Sequence, residues 1–313
     1  FNISLKLQQD SSENIGEDII SEFNTAMDKF FDSLEIFDAS LRSSKYENEV
    51  WGYLFKETFP YFMRGALAER AYFKPNGYAG DFKMIEMMYR NEPAGDGKIG
   101  RLVDAWLLKR PPCAAVRGRR RFLADTLGKY SRNGFAGRDK INVMSLACGP
   151  SRELFDFIGA FDQNEKINAM CLDIDPEALK YTDSLARSFE HKASVNFLKD
   201  NLIKWALGTS TQTIEPQDII YSGGLFDYLD DDLFLMLVDR CHEHLNPDGV
   251  LIIGNFRQNP DRLFMDHLLE WRLIYREEEE LKKLFEKSRF GTSVDITAEQ
   301  EAGIQLFAMA AKG

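Results

Sequence analysis

Val143-Met144-Ser145-Leu146-Ala147-Cys148-Gly149-Pro150-Ser151-Arg152-Glu153 is an apolar run that ends in small residues and opens directly into a helical pattern. A short apolar run without polar alternation reads as a strand buried on both faces. Ser145, Ala147 and Gly149 lack the bulk that holds a ligand away from the backbone, so the turn is a degenerate glycine loop suited to close approach. Any tight strand-to-helix turn has the same texture, and the pattern around it must decide between the two.

Downstream, apolar runs recur at Ile167 to Leu172, Val195 to Leu198, Asp218 to Tyr221, Val250 to Ile253 and Ile304 to Ala311, with a weaker one at Ser293 to Ile296. Helical segments separate them, which implies right-handed crossovers, a mostly parallel sheet covered on both faces, and ligands at the strands' carboxyl ends. Arg262 to Ser288 is expected as one long helix, with Glu277 to Glu280 its solvated part. Upstream, Ile19, Ile20, Phe23, Met27, Phe30, Phe31, Leu34 and Phe37 keep helical spacing. Proline and two glycines break the helices at Lys74-Pro75-Asn76-Gly77-Tyr78-Ala79-Gly80-Asp81, and Gly100 to Leu127 carries a second break at Pro111-Pro112. The polar stretch Tyr130 to Lys140 marks the change of texture. Two domains are expected, a helical one over 1–130 and an α/β one over 131–313.

The remaining strand ends carry the chemistry. Cys171-Leu172-Asp173-Ile174-Asp175-Pro176 places a carboxylate just over 20 residues beyond the loop, where a nucleotide ribose sits in such folds. Asp175, ahead of Pro176, is the natural helix cap, which leaves Asp173 to accept from both ribose hydroxyls. Phe197-Leu198-Lys199-Asp200-Asn201 puts short polar side chains where an adenine amino group would lie, Asp200 being the better placed. Past the fourth strand, Ser222-Gly223-Gly224-Leu225-Phe226-Asp227-Tyr228-Leu229 again exposes glycine backbone. Asn246-Pro247-Asp248-Gly249 reads as a structural turn.

Composition narrows the class. With 50 acidic against 39 basic residues the net charge is −11, which disfavours nucleic-acid partners. Arg117, Arg119, Arg120 and Arg121 read as a solvated helix face rather than an anion site. Cys113, Cys148, Cys171 and Cys241 form no metal or disulfide pattern and fit a reducing cytoplasm, and no metal is expected. No stretch approaches the roughly 20 apolar residues of a membrane span, and no signal peptide is legible. The chain starts at Phe1, which leaves room for an upstream domain.

The order of these motifs resembles that of the class I S-adenosylmethionine-dependent methyltransferases over Ile141 to Lys312, although Ser145 and Ala147 replace the commoner acidic residue and glycine of the first loop. The resemblance implies a Rossmann-like sheet, mostly parallel with its last strand antiparallel, beside an N-terminal α-helical lid or substrate domain. It implies S-adenosyl-L-methionine as cofactor, with Ala147, Gly149 and Ser151 along its amino-acid portion and Asp173, Asp175, Asp200, Asn201 and Gly223 completing the site. The 74–81 stretch, Gly224 to Leu229, Gly254-Asn255-Phe256 with Asn259-Pro260, and Trp271-Arg272-Leu273-Ile274-Tyr275-Arg276 resemble a bacterial group that includes the enzymes making 3-hydroxypalmitic acid methyl ester, a cell-density signal.

That group implies a small-molecule acceptor with an acyl chain and transfer to a carboxylate, which needs alignment and desolvation but no general base. Tyr78 and Asp81 are then lid candidates, Arg276 with Tyr275 the carboxylate orienters, and Asn255 and Tyr228 neutral donors. For a hydroxyl or amine acceptor the base falls to Asp227, Asp81 or a histidine, though His191, His242, His244 and His267 read as surface residues. The aromatic N-terminal half suits an acyl pocket and, by default, a helix core. A non-catalytic regulatory module on the same fold is the main alternative; a NAD-dependent oxidoreductase would carry a fuller G-x-G-x-x-G loop.

Overall fold

The apolar runs assemble into one seven-stranded sheet in the order β3-β2-β1-β4-β5-β7-β6. The structure, a computed structural model, describes residues 2–9, 14–42 and 44–313. They divide into two compact units, Phe1–Ala114 with Asn259–Arg272, and Ala115–Gln258 with Leu273–Gly313.

The first unit is helical: α1 (Asn2–Gln9), α2 (Glu17–Leu41), α3 (Glu47–Phe62), α4 (Ala66–Phe73), α5 (Phe82–Arg90), α6 (Gly97–Leu107) and the start of α7 (Pro111–Asn133). The helical stretch breaks at residues 108–110, between α6 and α7, and Pro111 and Pro112 open the new helix, since the first helical turn needs no N–H donors. The apolar stripe of α2 buries Ile19, Phe23, Phe31 and Leu34. Phe31 packs on Trp106 (4.4 Å between centroids) and Phe264 (4.7 Å), and Trp51 stacks on His267 at 3.9 Å. The aromatics therefore form a core, as their default reading has it, while Tyr53 and Tyr61 stay exposed. The 259–272 segment is held by Asp261, whose carboxylate accepts two bonds from Arg110 Nε (2.9 and 3.1 Å) and one from its Nη2. Arg110 also lies 4.6 Å from the Trp106 ring centroid and 4.8 Å from that of Phe31.

In the second unit, β1 (Ile141–Leu146), β2 (Ile167–Asp173), β3 (Ser194–Lys199), β4 (Gln217–Ser222) and β5 (Leu245–Phe256) run parallel, with α8 (Arg152–Ala160), α9 (Pro176–Ala186), α10 (Leu202–Ala206) and α11 (Asp231–His244) in the crossovers. The α12 helix (Arg262–His267) belongs to the first unit, and α13 (Glu278–Lys287), β6 (Val294–Ala298) and β7 (Gln305–Ala311) complete the second. The last strand, β7, lies antiparallel between β5 and β6. Each strand runs within a few residues of its expected span except β5, which takes in the Asn246-Pro247-Asp248-Gly249 turn as an irregularity, with Asp248 at φ 63°.

The two-residue period of the strands sorts their side chains into two cores. Met144, Leu146, Ile220, Leu251 and Ile253 meet Trp205, Phe226, Phe234 and Phe285 on one face. Val143, Cys171, Ile219, Tyr221 and Ile252 meet Leu123, Leu127, Phe155 and Phe157 on the other. Covering both faces leaves the strand ends as the place for polar chemistry. Among the described residues no helix is long and apolar enough to cross a membrane.

The long helix expected over Arg262 to Ser288 is corrected. α12 stops at His267, Glu270 turns to φ 48°, and the chain resumes as α13 ten residues later. Between them Ile274 N donates to Asp227 O (2.7 Å) and Arg276 N to Phe256 O (3.0 Å), partners that a continuous helix would not reach. The acidic run Glu277 to Glu280 starts α13 with a capping box, favourable beside the positive end of the helix dipole.

Asp261→Ala takes the multiply bonded carboxylate from the half-buried Arg110 guanidinium and leaves it the looser 3.8 Å pair with Asp28, and a loss of about 3 kcal/mol is expected in chemical denaturation. An unchanged midpoint would remove the pair from the supports of the helical unit.

Candidate functional site

Three residues within five of the β1–α8 turn have positive φ: Ala147 (49°), Gly149 (52°) and Ser151 (47°). Such angles on non-glycine residues cost about 1–3 kcal/mol each and persist where surrounding structure enforces them. Here hydrogen bonds do so: Cys148 N donates to Leu172 O (3.1 Å), Ser151 Oγ to Cys148 O (3.1 Å) and Thr182 Oγ1 to Gly149 O (2.7 Å). A Cβ placed on Gly149 would meet nothing within 4 Å, so the space over the loop is open.

Asp173, at the carboxyl end of β2, is 3% exposed. Its Oδ2 accepts Gly149 N and its Oδ1 accepts Asp175 N, both at 2.9 Å. Burial pushes its carboxyl up, with the Asp175 and Gly149 amides opposing that shift. A carboxylate has about four acceptor positions, so two backbone bonds leave capacity for a ligand's hydroxyls. Asp200 N donates to Asp173 O (3.1 Å), which places the β3 end beside it. The half-buried Asp200 accepts Asn201 N (2.7 Å) and Ser210 Oγ (2.6 Å). Asp175 caps α9 through Glu177 N (2.8 Å), and Asn201 caps α10 through Ile203 N (2.9 Å) and Lys204 N (3.2 Å).

At the β4 end, Ser222 Oγ donates to Leu146 O (3.0 Å), and the chain then passes through Gly223 and Gly224. A Cβ on Gly224 would lie 2.7 Å from Arg119 Nη1, so the guanidinium rests against glycine backbone. Arg119 is 9% exposed, donates one long bond to Gly223 O (3.5 Å), and pairs with no carboxylate among the described residues. Its sequence neighbours are ion-paired, Arg117 and Arg121 with Glu301 and Arg120 with Asp156, and of these Arg121 is exposed while Arg117 and Arg120 are half-buried. Arg119 is the exception that the sequence reading missed.

Two buried acids complete this end. Glu153 accepts from Tyr221 Oη (3.1 Å), and burial pushes its carboxyl up against the opposing charge of Arg119. Asp227, 3% exposed, accepts Phe256 N and is pushed up to about 6 by burial, against the Phe256 amide, Arg119 and Arg276.

The acceptor-side assignments need correction. Arg276 is 3% exposed and all five of its N–H groups are engaged: Asp231 Oδ1 takes Nε (3.2 Å) and Nη2 (2.8 Å), Nη1 reaches Phe226 O (3.1 Å) and Asn255 Oδ1 (3.0 Å), and Nη2 also reaches Leu229 O (2.6 Å). No donor remains for an acceptor carboxylate. Asn255, fully buried, donates to Phe256 O (2.9 Å) and Ile274 O (3.0 Å), so it too is a structural tie. Tyr275 is half-buried beside them. In the helical unit, Asp81 caps α5 through Met84 N (2.8 Å) and accepts Arg70 Nε (2.8 Å), which fills the carboxylate proposed for the lid. Tyr78 is half-buried on the α4–α5 connection. His267, expected at the surface, is half-buried against Trp51.

A groove of about 700 Å³ lined by Asn164, Arg187, Phe189 and Lys192 lies at the amino ends of β2 and β3, opposite the edge where such sheets bind ligands. An apolar cavity of about 210 Å³ in the helical unit is lined by Phe23, Met27, Phe30, Phe62 and Val103.

A family described as "Putative methyltransferase" matches residues 77–291. No curated protein matches the chain. Among solved structures it is similar to a possible exported protein from Bordetella parapertussis, with TM-score 0.60 and 20% identity over 74% of this chain and 79% of that one. It is also similar to magnesium protoporphyrin IX methyltransferase from Synechocystis PCC 6803 with bound SAH, with TM-score 0.52 and 12% identity over 78% and 98%. The CurJ carbon methyltransferase gives TM-score 0.54 and 11% identity over 85% and 71%. At such identities the likeness establishes the fold.

Arg276→Met strands the Phe226 and Leu229 carbonyls and Asn255 Oδ1, and a loss of about 3 kcal/mol or more in denaturant unfolding is expected; a variant as stable as the parent would return Arg276 to the acceptor site. Because the folded chain raises Asp227 to about 6, the stability it contributes is full below the ordinary aspartate value and lost as pH rises through about 6. The stability of Asp227→Asn relative to the parent should therefore increase by about 1.3 kcal/mol between pH 5 and pH 7. Parallel stability curves for the two proteins would exclude the shift.

Proposed function

The chain belongs to the methyltransferase family matched by residues 77–291, and on that premise we propose that it moves a methyl group from S-adenosyl-L-methionine to an oxygen of a small-molecule acceptor. The observation that carries this reading is the buried Asp173 carboxylate, held with spare acceptor capacity beside a loop whose open side faces no protein atom at Gly149.

When bound, the donor's sulfonium supplies an activated methyl group. Asp173 accepts the ribose hydroxyls, Ala147, Gly149 and Ser151 follow the amino-acid portion, and Asp200 with Asn201 faces the adenine edge. Asp175 supports that wall as a helix cap, and Gly223 offers its backbone at the β4 end. Tyr78 and Tyr275 are retained as an aromatic lid residue and an acceptor-side hydroxyl. The degenerate loop lacks the three glycines of a nicotinamide site, which sets the oxidoreductase reading below this one.

For the acceptor we carry forward the carboxylate of a hydroxy fatty acid, on the strength of the motif resemblance. An ionised carboxylate needs no base, only alignment and the exclusion of water. A hydroxyl acceptor is the second reading, favoured by Asp227, which near neutral pH is an ionised buried base. The buried free thiols of Cys113, Cys148, Cys171 and Cys241 accord with a reducing, cytoplasmic setting.

Calorimetric titration with S-adenosylmethionine, S-adenosylhomocysteine and NAD should give saturable binding of the first two alone. Asp173→Ala should weaken S-adenosylhomocysteine about tenfold or more, while Asp230→Ala, which removes the cap of α11 at Leu233 N, serves as the control for general damage. Binding of NAD alone would overturn the donor assignment, and unchanged affinity in Asp173→Ala would overturn the ribose role. Donor binding without methyl transfer to any acid, alcohol or amine would favour a regulatory module.

A further inference from the structure

We propose that Arg119 is the carboxylate anchor of this site, a role that rests on the methyl-donor reading above. Arg119 sits on α7 among apolar neighbours, with Val116, Leu123 and Leu127 buried at helical spacing around it. An arginine nine-tenths buried ordinarily has a carboxylate beside it, because leaving an unpaired charge inside the protein is costly. Arg119 has only a 3.5 Å bond to Gly223 O, and no carboxylate among the described residues pairs with it.

Its position identifies what is missing. The guanidinium lies against Gly223 and Gly224, just past the carboxyl end of β4, and Gly224 has no side chain to hold it away. Its charge is felt by Glu153, at the start of the helix that follows the β1 loop, and by Asp227, yet neither forms an ion pair with it. A planar fork that meets one carbonyl at 3.5 Å and no carboxylate among the described residues matches a carboxylate in two-point contact. Two carboxylates are available in the proposed reaction: the amino-acid tail of the donor and the acid group of the acceptor.

The test compares wild type with Arg119→Met and Arg119→Lys in calorimetric titrations with S-adenosylhomocysteine, which has the carboxylate, and 5′-methylthioadenosine, which has the same thioether nucleoside without the amino-acid tail. A third titration uses 3-hydroxypalmitate with S-adenosylhomocysteine present. If the donor tail is the ligand, Arg119→Met weakens S-adenosylhomocysteine about tenfold or more and leaves 5′-methylthioadenosine unchanged. If the acceptor is the source, both nucleosides are unaffected and 3-hydroxypalmitate weakens instead. In either case Arg119→Lys, which keeps the charge but not the fork, recovers part of the loss. Arg119→Met should melt at or above the wild-type temperature, since it removes an unpaired buried cation from an apolar stripe. A marked fall in melting temperature, equal weakening of both nucleosides, or no change with any of the three probes would overturn the assignment. Failure of wild type to bind either nucleoside would overturn the donor reading itself, an outcome read before any variant is made.

Discussion

A carboxylate buried at the end of β2 remains useful only if something other than water solvates it, and for Asp173 the backbone does so. Gly149 N and Asp175 N each approach it at 2.9 Å, one from the β1 loop and one from the start of α9. The acid thus fixes the loop that leads into α8 as well as its own turn, and the positive φ angles at Ala147, Gly149 and Ser151 are held within that arrangement. The β3 end joins through Asp200 N, so three consecutive strand ends are tied into one polar edge. A sheet with both faces packed in apolar side chains has no other place to carry this chemistry.

The β4 and β5 ends are built on the opposite logic, with a cation at the centre. Arg276 gathers the carbonyls of Phe226 and Leu229, the amide oxygen of Asn255 and the Asp231 carboxylate, and so joins the irregular 273–277 segment to the turn after β4. Asp227 reinforces the joint by receiving Phe256 N on its side chain and Ile274 N on its carbonyl. Residues that look like acceptor-binding groups are therefore largely the frame of the site. Arg119 contrasts with Arg276: both are buried, but one has every donor satisfied and the other has a single long bond. That difference distinguishes a structural arginine from one that awaits a ligand.

The failures of the sequence reading have physical causes. Arg262 to Ser288 has helical spacing throughout, but intrinsic preference is weak against tertiary partners, and the Asp227 carbonyl and Phe256 carbonyl draw residues 274 and 276 out of the helix. Arg119 was grouped with Arg117, Arg120 and Arg121 by adjacency, although helical period places it in line with Val116, Leu123 and Leu127. That signal was present in the sequence: a cation at an apolar position of a helix faces the interior. The burial of Asn255, by contrast, has no counterpart in local pattern.

What the sequence by itself determined is the sheet and its polar edge. Short apolar runs separated by helical segments, the small residues at Ala147 and Gly149, and the carboxylate at Asp173 are local properties, and local chemistry suffices to read them. Only the tertiary structure decided which charged groups are available. Whether a guanidinium is satisfied depends on carbonyls and carboxylates brought to it from distant parts of the chain, as Phe226, Leu229 and Asn255 are brought to Arg276. No spacing rule encodes that supply, because it is fixed by where the strands end in space and not by their distance along the chain.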